Sequence, residues 1–520
     1  MSPTETSDPS LLSKSSDPGR LGNNPAIACT GTPRFTDSSE TYREDENDVL
    51  TLDRHAEYVD TITTEPHGRL YGLDVLRQLY NLSTRITLPK EGAQSSIELV
   101  EALNNSHTTN NLRTDAHQPC LPQKHETLSL IIIAFSEAFH LWPFIDRTHV
   151  DNIIYRLYKR DGFGQEPRDR DDLALLYAVL ALGQRFETIT VESGSDHKRH
   201  GMSFFVAARS MVPLTHCGRS LTALQTVLCM ALYLKAASDQ TLVHTYITAA
   251  AGAALRLGLH EQTPFFTPDE TALRQRVWST IRVLDTYVSA ALGIPCAISH
   301  VWMHEQDAFP PLLSGSNAEL VVANAHAELA TKMSQTIHSM YNGRDLHSNL
   351  GLGPYSVALA LLDSRWEDLD RWARACPVLA QSQDGMTRMR GQLILDYMHA
   401  YAQILLYSPF VHHITDLENP GHFYGKKCFE AALHAVQIAE ILQQQGHFNE
   451  AYFFTLDVLA FAAVVLLVVE ACCKEPQLVM EAMHSSRTAR ELLLVLSFLN
   501  SAAAECWSAL SVCGSSSGAP

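Results

Sequence analysis

A helix with a marked beginning and a marked end lies in the middle of this chain. Thr267, Pro268, Asp269 and Glu270 form a capping box with proline at the first helical position, which predicts a helix start. Gly293 and Pro295 end the pattern, Gly293 as a left-handed cap and Pro295 by blocking continuation. Between them, one face is apolar at spacings of three and four: Leu273, Val277, Ile281, Leu284, Val288 and Ala291. The sequence predicts a buried helix of about seven turns.

An alanine-rich helix is predicted immediately upstream, from about Thr241 to Leu257. Its small side chains let a neighbouring helix approach closely, and Gly258 marks its end. Gly252 lies inside it at a cost of about 1 kcal/mol, which is acceptable if the packing needs the gap. The same helical periodicity dominates from about Leu128 onward, whereas alternating runs typical of strands are scarce. The fold is therefore predicted to be all-α.

The two ends of the chain differ in composition from this helical part. Residues 1–125 are rich in Ser, Thr, Asn, Asp and Pro, and acidic residues outnumber basic ones as far as Gly68. Such a segment buries too little apolar surface to offset its ordering entropy, so we expect disorder with one short helix near 70–82. The helical domain is expected to cover 128–510. A disordered tail is expected at 511–520.

Three short motifs between 241 and 311 resemble the middle homology region of fungal-specific transcription factors, the regulatory domain of binuclear zinc cluster proteins. The first motif, LGLH, is Leu257 to His260. The second and third are approximated or matched by Arg274, Arg276 and Trp278, and by Asp285, Ser289, Gly293 and Pro295. Ser279 departs from the pattern, because the family more often has a second tryptophan there. Less specific likeness extends over 130–150, 176–186, 393–413 and 428–442.

Structural roles are the leading interpretation of these motif residues. Arg276 and Asp285 would be costly in a buried helix unless paired, which predicts an internal salt-bridge network that fixes the helix register. Trp278 is expected to fill the adjoining space between helices. A structural role is predicted for Arg274 as well, and Gly258 and His260 complete the motif set. A metabolite, if one is sensed, would need an apolar cleft between helices.

The zinc cluster that usually accompanies this regulatory domain is missing from the sequence. It requires six cysteines, but only Cys29 and Cys120 occur before residue 200. The formal net charge of −18 also disfavours contact with duplex DNA. No zinc or other cofactor is therefore expected, and DNA binding is expected only indirectly or through a missing N-terminal module. Either the chain is a regulator without a cluster, or an upstream exon has been lost.

Several other residue patterns resemble catalytic or metal-binding motifs, but an ordinary structural or solvent-exposed role is favoured for each of them. Gly514, Ser516 and Gly518 match a nucleophile motif but lie in the polar tail, without a strand and helix around them. Two histidines four residues apart follow Pro295, but the H-E-x-x-H pattern is absent and no third metal ligand is evident. Two adjacent cysteines do not have the spacing of a tetrahedral metal site. Solvated or satisfied side chains are expected at His300, Trp302, His304 and Glu305, and core thiols at Cys472 and Cys473.

A terpene-cyclase-like all-α enzyme is the remote enzymatic alternative. Such an enzyme needs aspartates that hold magnesium. Asp169, Asp171 and Asp172 are the nearest match but lack the required spacing, and the second pattern, begun by Asn47 and Asp48, has His55 where Glu is needed. We therefore expect no catalytic and no metal residues.

The cellular context follows from composition and from the resemblance. The longest apolar run, Val458 to Val469, is shorter than the about 20 residues that span a bilayer, so we expect a buried helix and no membrane contact. No secretory signal is found, and 11 cysteines without paired spacing favour reduced thiols. The resemblance implies a transcription regulator that controls a metabolic or secondary-metabolite gene cluster. It is expected in the nucleus, with a location shared between nucleus and cytoplasm as the alternative.

The alternative to a DNA-bound regulator is a protein-interaction module that modulates a partner zinc cluster factor. The partners expected from the resemblance are other transcription factors or a second copy of the chain, with a small-molecule effector as a further option.

Overall fold

The computed structural model describes the chain with gaps. The described residues are 49–51, 121–159, 167–187, 201–237, 240–261, 265–292, 294–298, 318–338, 356–376, 378, 390–415, 417–418, 421–448, 454–498 and scattered positions up to 510. The expected disorder and short helix of segment 1–125, apart from 49–51 and 121–125, lie outside these residues. The tail 511–520 lies outside them as well.

The described part is built almost entirely from helices, as the sequence predicts. Thirteen α-helices follow in chain order: α1 Lys124–Ile133, α2 Arg147–Tyr158, α3 Pro167–Arg185, α4 Met202–Met211, α5 Leu221–Ala236, α6 Gln240–Arg256, α7 Pro268–Leu292, α8 Ala318–Ile337, α9 Leu359–Ala375, α10 Arg390–Tyr407, α11 Gly421–Gln444, α12 Thr455–Cys472 and α13 Pro476–Ser497. A π-helical turn, Ala134–Ala138, extends α1, and 3-10 segments occur at Leu214–His216 and Ser408–Thr415. Helices adjacent in sequence mostly pack against each other, including α5 with α6, α6 with α7, and α12 with α13.

One short strand pair accompanies the helices. β1, Val49–Thr51, pairs antiparallel with β2, Ser356–Ala358, with Leu50 opposite Val357. β1 lies within the segment for which the sequence favours disorder.

Two of the helices are buried on all sides and organise the core. Every residue of α5 from Ala223 to Ala236 is buried, and α12 is buried from Val458 to Val469. A helix that is apolar around its whole circumference requires such a position. No helix among the described residues is long and apolar enough to cross a membrane. The sequence-based expectation that the 458–469 run forms a buried helix is confirmed.

The end of α6 has the predicted glycine cap, and the start of α7 has one of the two hydrogen bonds of the predicted capping box. Gly258 has a φ of +67°, and Leu259 N–H donates to Ala254 O at 3.0 Å while Gly258 N–H donates to Leu255 O at 3.0 Å. These two bonds form the Schellman motif that terminates α6. At the start of α7, Glu270 N–H donates to Thr267 Oγ1 at 3.3 Å. Gly293, the predicted cap at the other end of α7, lies outside the described residues.

Candidate functional site

Arg274, on the first part of α7, caps the end of α6. Its guanidinium donates to the carbonyl of Leu257, the residue after the last turn of α6, and stacks over the Phe266 ring at 4.0 Å from the ring centroid. A cation at a helix C-terminus satisfies free carbonyls and opposes the negative end of the helix dipole. The contact therefore ties α6, the connecting segment and α7 together, which explains why Arg274 lies near the LGLH motif in space.

Arg276 connects α7 to the N-terminus of α2. Its Nη2 donates to Asp146 Oδ1 at 2.6 Å, and Asp146 is the N-cap residue of α2. The arginine side chain is 16% exposed and the aspartate 38%, so the pair is partly shielded from water. Arg276 therefore forms a salt bridge with Asp146 and not with Asp285, and no internal network joins the two predicted residues among the contacts of the described residues. The pair fixes the relation of two helices, whereas the sequence-based expectation concerned register within the core.

Trp278 packs at the edge of the core, half-buried. Its ring lies 6.1 Å from the ring of His260 in a tilted arrangement, and His260 Nε2 lies 3.3 Å from Glu261 Oε1. The expectation that Trp278 fills space between helices describes this position, although the ring is only partly enclosed by the apolar core. His260 thus contacts side chains of the chain itself, within a motif corner formed by Gly258, His260 and Trp278.

Replacing Trp278 with Ala is expected to lower the free energy of unfolding by about 2 kcal/mol, because the edge position loses less buried area than the about 3–5 kcal/mol typical of an enclosed ring. Urea unfolding followed by circular dichroism measures the change. Trp278→Phe is the control that keeps an aromatic ring at the site. A Trp278→Ala protein as stable as the starting protein would show that the ring contributes nothing to this corner.

Asp285 is buried on α7 and holds the segment that follows the helix. Its Oδ1 accepts from Ala297 N–H at 3.0 Å and its Oδ2 accepts from Ile298 N–H at 2.9 Å. The Ser289 hydroxyl lies 3.4 Å from both Asp285 Oδ1 and the carbonyl of Pro295. The carboxylate therefore holds the segment that follows α7, residues 294–298, against the helix. Pro295 itself is exposed and takes part through this carbonyl.

Burial raises the pKa of Asp285 to about 6, although the two backbone amides and Ser289 favour the ionised form. An unfolded aspartate has a pKa of about 3.9, so the folded protein binds a proton more readily than the unfolded chain. The stabilising contribution is thus complete below about pH 4 and is lost as the pH rises through about 6.

Relative to an Asp285→Asn variant, the protein is expected to lose up to about 3 kcal/mol of unfolding free energy between pH 4 and pH 7. Urea titrations of both proteins across this range measure the difference, with Asn providing a side chain that does not titrate. A relative stability that rises with pH would mean that the two amide bonds outweigh burial and hold the pKa low.

A narrow cleft opens beside Asp285 between α7 and α8. Cys296 Sγ and Ser334 Oγ lie 3.5 Å apart at its wall, and Arg282 Nη2 lies 3.5 Å from Thr331 Oγ1. Burial, followed by the nearby Asp285 carboxylate, raises the pKa of the Cys296 thiol to about 11, so it is a poor nucleophile. The cleft has about 10 Å³ of free space, roughly the room of one water molecule. It is too small for a metabolite.

A buried polar contact that the sequence reasoning missed lies at the centre of α7. Tyr287 Oη and His326 Nε2 are 2.9 Å apart, and both residues are buried. Trp142 and Phe454 contact the pair, with centroid distances of 5.4 Å from Trp142 to His326 and 4.2 Å from Phe454 to Tyr287. Burial lowers the pKa of His326 to about 4, so the imidazole is neutral at pH 7. No local spacing could have joined residues from four separate elements.

The aspartates considered for a magnesium site are occupied by basic side chains. Asp172 pairs with Arg156 and with His149 Nε2 at 3.4 Å, and Arg156 Nη1 also reaches Asp169 Oδ1 at 3.0 Å. Asp171 pairs with Arg219 and accepts from Ser220 Oγ at 2.6 Å. Burial alone would raise the pKa of Asp172, but hydrogen bonds and charge from His149 and Arg156 lower it overall. These carboxylates serve to anchor α3.

Of the remaining candidate residues, Cys473 packs against the apolar core, and the others, including the side chain of Cys472, lie outside the described residues. The described residues hold no group of three or more His, Cys, Asp or Glu side chains placed to bind a metal ion. Cys473 is half-buried just after α12. The other patterns lie outside the described residues: His300, Trp302, His304, Glu305, Asn47, Asp48, His55, Gly514, Ser516 and Gly518.

Comparison with known proteins matches the part of the chain that contains this site. Residues 132–319 match the model of the fungal specific transcription factor domain. That range begins in α1, includes all of α7 and ends at the start of α8, so the motif residues from Gly258 to Pro295 lie inside it.

The curated relatives extend the similarity beyond the matched domain. The chain is 26% identical over 343 residues to "Activator of stress genes 1" of Saccharomyces cerevisiae, with 61% of this chain and 34% of the relative covered. It is 24% identical to "Activator of stress genes protein 1" of Candida albicans, covering 67% and 40%. It is 30% identical to "Thiamine repressible genes regulatory protein thi1" of Schizosaccharomyces pombe, covering 58% and 40%. The chain therefore spans well under half the length of these relatives.

Proposed function

We propose that this chain regulates transcription in the nucleus through its helical part, without catalysis, because residues 132–319 match the model of the fungal specific transcription factor domain. The single observation that carries the proposal is this domain match. Relatives aligned over 58% to 67% of the chain are named as activators and regulators of genes. The motif residues have structural roles within this domain. Arg274, Arg276 and Asp285 each join α7 to a different neighbouring segment.

We further propose that the chain reaches DNA through a partner protein, such as another transcription factor, or through a module outside this sequence. The net charge of −18 opposes association with phosphate, and no basic cluster offsets it. No zinc is part of the proposal, since too few cysteines precede the helical domain. The regulated genes are proposed to be a metabolic or secondary-metabolite set, by analogy with the relative named for thiamine repressible genes.

Tethering the full chain to an unrelated DNA-binding domain tests the regulatory role. Reporter transcription in a fungal host is expected to change relative to the DNA-binding domain alone. Asp457→Ala, which breaks the buried ion pair between Asp457 on α12 and Lys235 on α5, is expected to weaken the effect by destabilising the folded helical part. A reporter that responds to neither protein would contradict a regulatory role.

A direct binding measurement tests the proposed indirect route to DNA. Purified chain titrated into labelled duplex at low salt is expected to leave the fluorescence anisotropy unchanged. Chromatin occupancy in cells is expected to vanish when the partner is depleted. Tight duplex binding that weakens steeply with added salt would overturn the indirect route, because that dependence reports contacts with phosphates.

A further inference from the structure

The last long helix, α13, has an outer face that is unusual for a surface helix. Its inner face packs on α11 and α12 through Ala482, Ser486, Ala489, Leu493 and Leu496. The opposite face carries an outer stripe whose members recur at alternating spacings of four and three: Met480, His484, Arg487, Glu491, Leu494 and Phe498. That spacing is the heptad pattern by which two helices pair.

The outer stripe is apolar at both of its ends. Met480 and Phe498 are 67% and 73% exposed, and Leu494 is 37% exposed. Met483 and Val495, each 37% exposed, widen the stripe on its two sides. The outward face of a surface helix is normally charged or polar, and clustered apolar exposure marks an interaction surface.

Charge is confined to the centre of the stripe. Arg487 and Glu491 are both exposed, and neither forms an ion pair within the described part of the chain. The sequence of the stripe is thus apolar, cationic, anionic, apolar when read from Met480 to Phe498. This order is self-complementary when a second copy of the helix is laid against it in the opposite direction.

In such an antiparallel pair each position faces its mirror position across a twofold axis. Arg487 of one copy lies opposite Glu491 of the other, and the same pair recurs on the other side of the axis. Met480 lies opposite Phe498, and His484 opposite Leu494. A parallel pair would instead place Arg487 opposite Arg487 and Glu491 opposite Glu491, which is repulsive. The charge pattern therefore selects one direction.

We propose that the outer stripe of α13 is a self-association surface through which two copies of this chain pair antiparallel. The contact is isologous, so it closes as a dimer and does not propagate. The stripe is about 27 Å long, and both helices are already formed and supported by α11 and α12, so pairing orders only side chains. This surface lies outside the matched transcription factor domain and does not depend on a role in transcription.

Sedimentation equilibrium of the full chain over a range of concentrations tests the proposal. The protein is expected to shift from monomer to dimer as concentration rises. Arg487→Glu alone and Glu491→Arg alone are each expected to weaken dimerisation at least about tenfold, since each places two like-charge pairs across the axis. An equimolar mixture of the two variants is expected to dimerise again, because every facing pair in the mixed dimer is of opposite charge.

Glu481→Arg is the matched control, since it makes the same change of charge on the same helix but outside the stripe. It is expected to leave dimerisation unchanged, and circular dichroism checks that all variants keep their helices. A protein that stays monomeric at all concentrations would overturn the proposal and leave the stripe to a different partner. Dimerisation that both single variants retain, or a mixture that fails to recover it, would equally overturn the antiparallel contact.

Discussion

Replacing Asp457 with Ala is expected to lower the free energy of unfolding by about 3–5 kcal/mol. Asp457 on α12 accepts from Lys235 Nζ on α5 at 2.5 Å, and the two side chains are 3% and 5% exposed. Burial lowers the pKa of Lys235, while the facing carboxylate opposes that shift and favours the ammonium. Without Asp457, the lysine must either remain charged in an apolar surrounding or release its proton, and both cost stability.

The double variant Lys235→Met with Asp457→Leu distinguishes two free energies: the stability lost when one partner is left unpaired, and the net stability that the intact pair contributes. It is expected to be about as stable as the starting protein, because apolar side chains of similar volume remove both desolvation penalties. Glu430→Ala, which breaks the exposed Lys427–Glu430 pair, is the matched control with a change below about 1 kcal/mol. Urea denaturation measures all three. An Asp457→Ala protein no less stable than Glu430→Ala would contradict a buried pair.

The local features of this fold could be predicted from the sequence because they depend on neighbours along the chain. The capping box at Thr267 and the glycine at 258 each place their signals within a few residues of the helix end. The observed boundaries of α6 and α7 accordingly agree with the prediction to within about one residue, which is inside the usual uncertainty of helix ends.

The partners of these charged side chains could not be predicted, because they are either distant in sequence or backbone groups. Arg276 finds Asp146, 130 residues away, and Lys235 finds Asp457, 222 residues away. Asp285 accepts hydrogen bonds from backbone amides of the segment after α7. Every residue type except proline has such an amide, so the sequence contains no side chain that would identify the partner. The sequence indicated, on desolvation grounds, that Arg276 and Asp285 need partners, but periodicity supplies no means of choosing among distant candidates. It singled out neither Lys235 nor Asp457.

Gly252 inside α6 is acceptable on sequence grounds on the condition that close helix packing needs a residue without a side chain there. The structure shows no such close packing at Gly252. A Cβ at this position would meet only Arg256 Nη1, at 3.5 Å, which is ordinary contact. Gly183 on α3, for which the sequence predicts no special packing, is instead a glycine at which two helices touch. A Cβ there would lie 2.1 Å from the carbonyl oxygen of Leu130 on α1. Alanine content marks helices that can approach closely but not the point of closest approach.

Gly183→Ala is expected to lower the free energy of unfolding by about 3 kcal/mol, because α1 must move to relieve the clash and its backbone cannot yield as a flexible side chain would. Gly252→Ala is the matched control on α6 and is expected to raise stability by about 1 kcal/mol through helix propensity alone. Thermal unfolding of the two variants beside the starting protein is expected to shift in opposite directions. Equal midpoints for Gly183→Ala and the starting protein would show that α1 does not approach α3 at this residue.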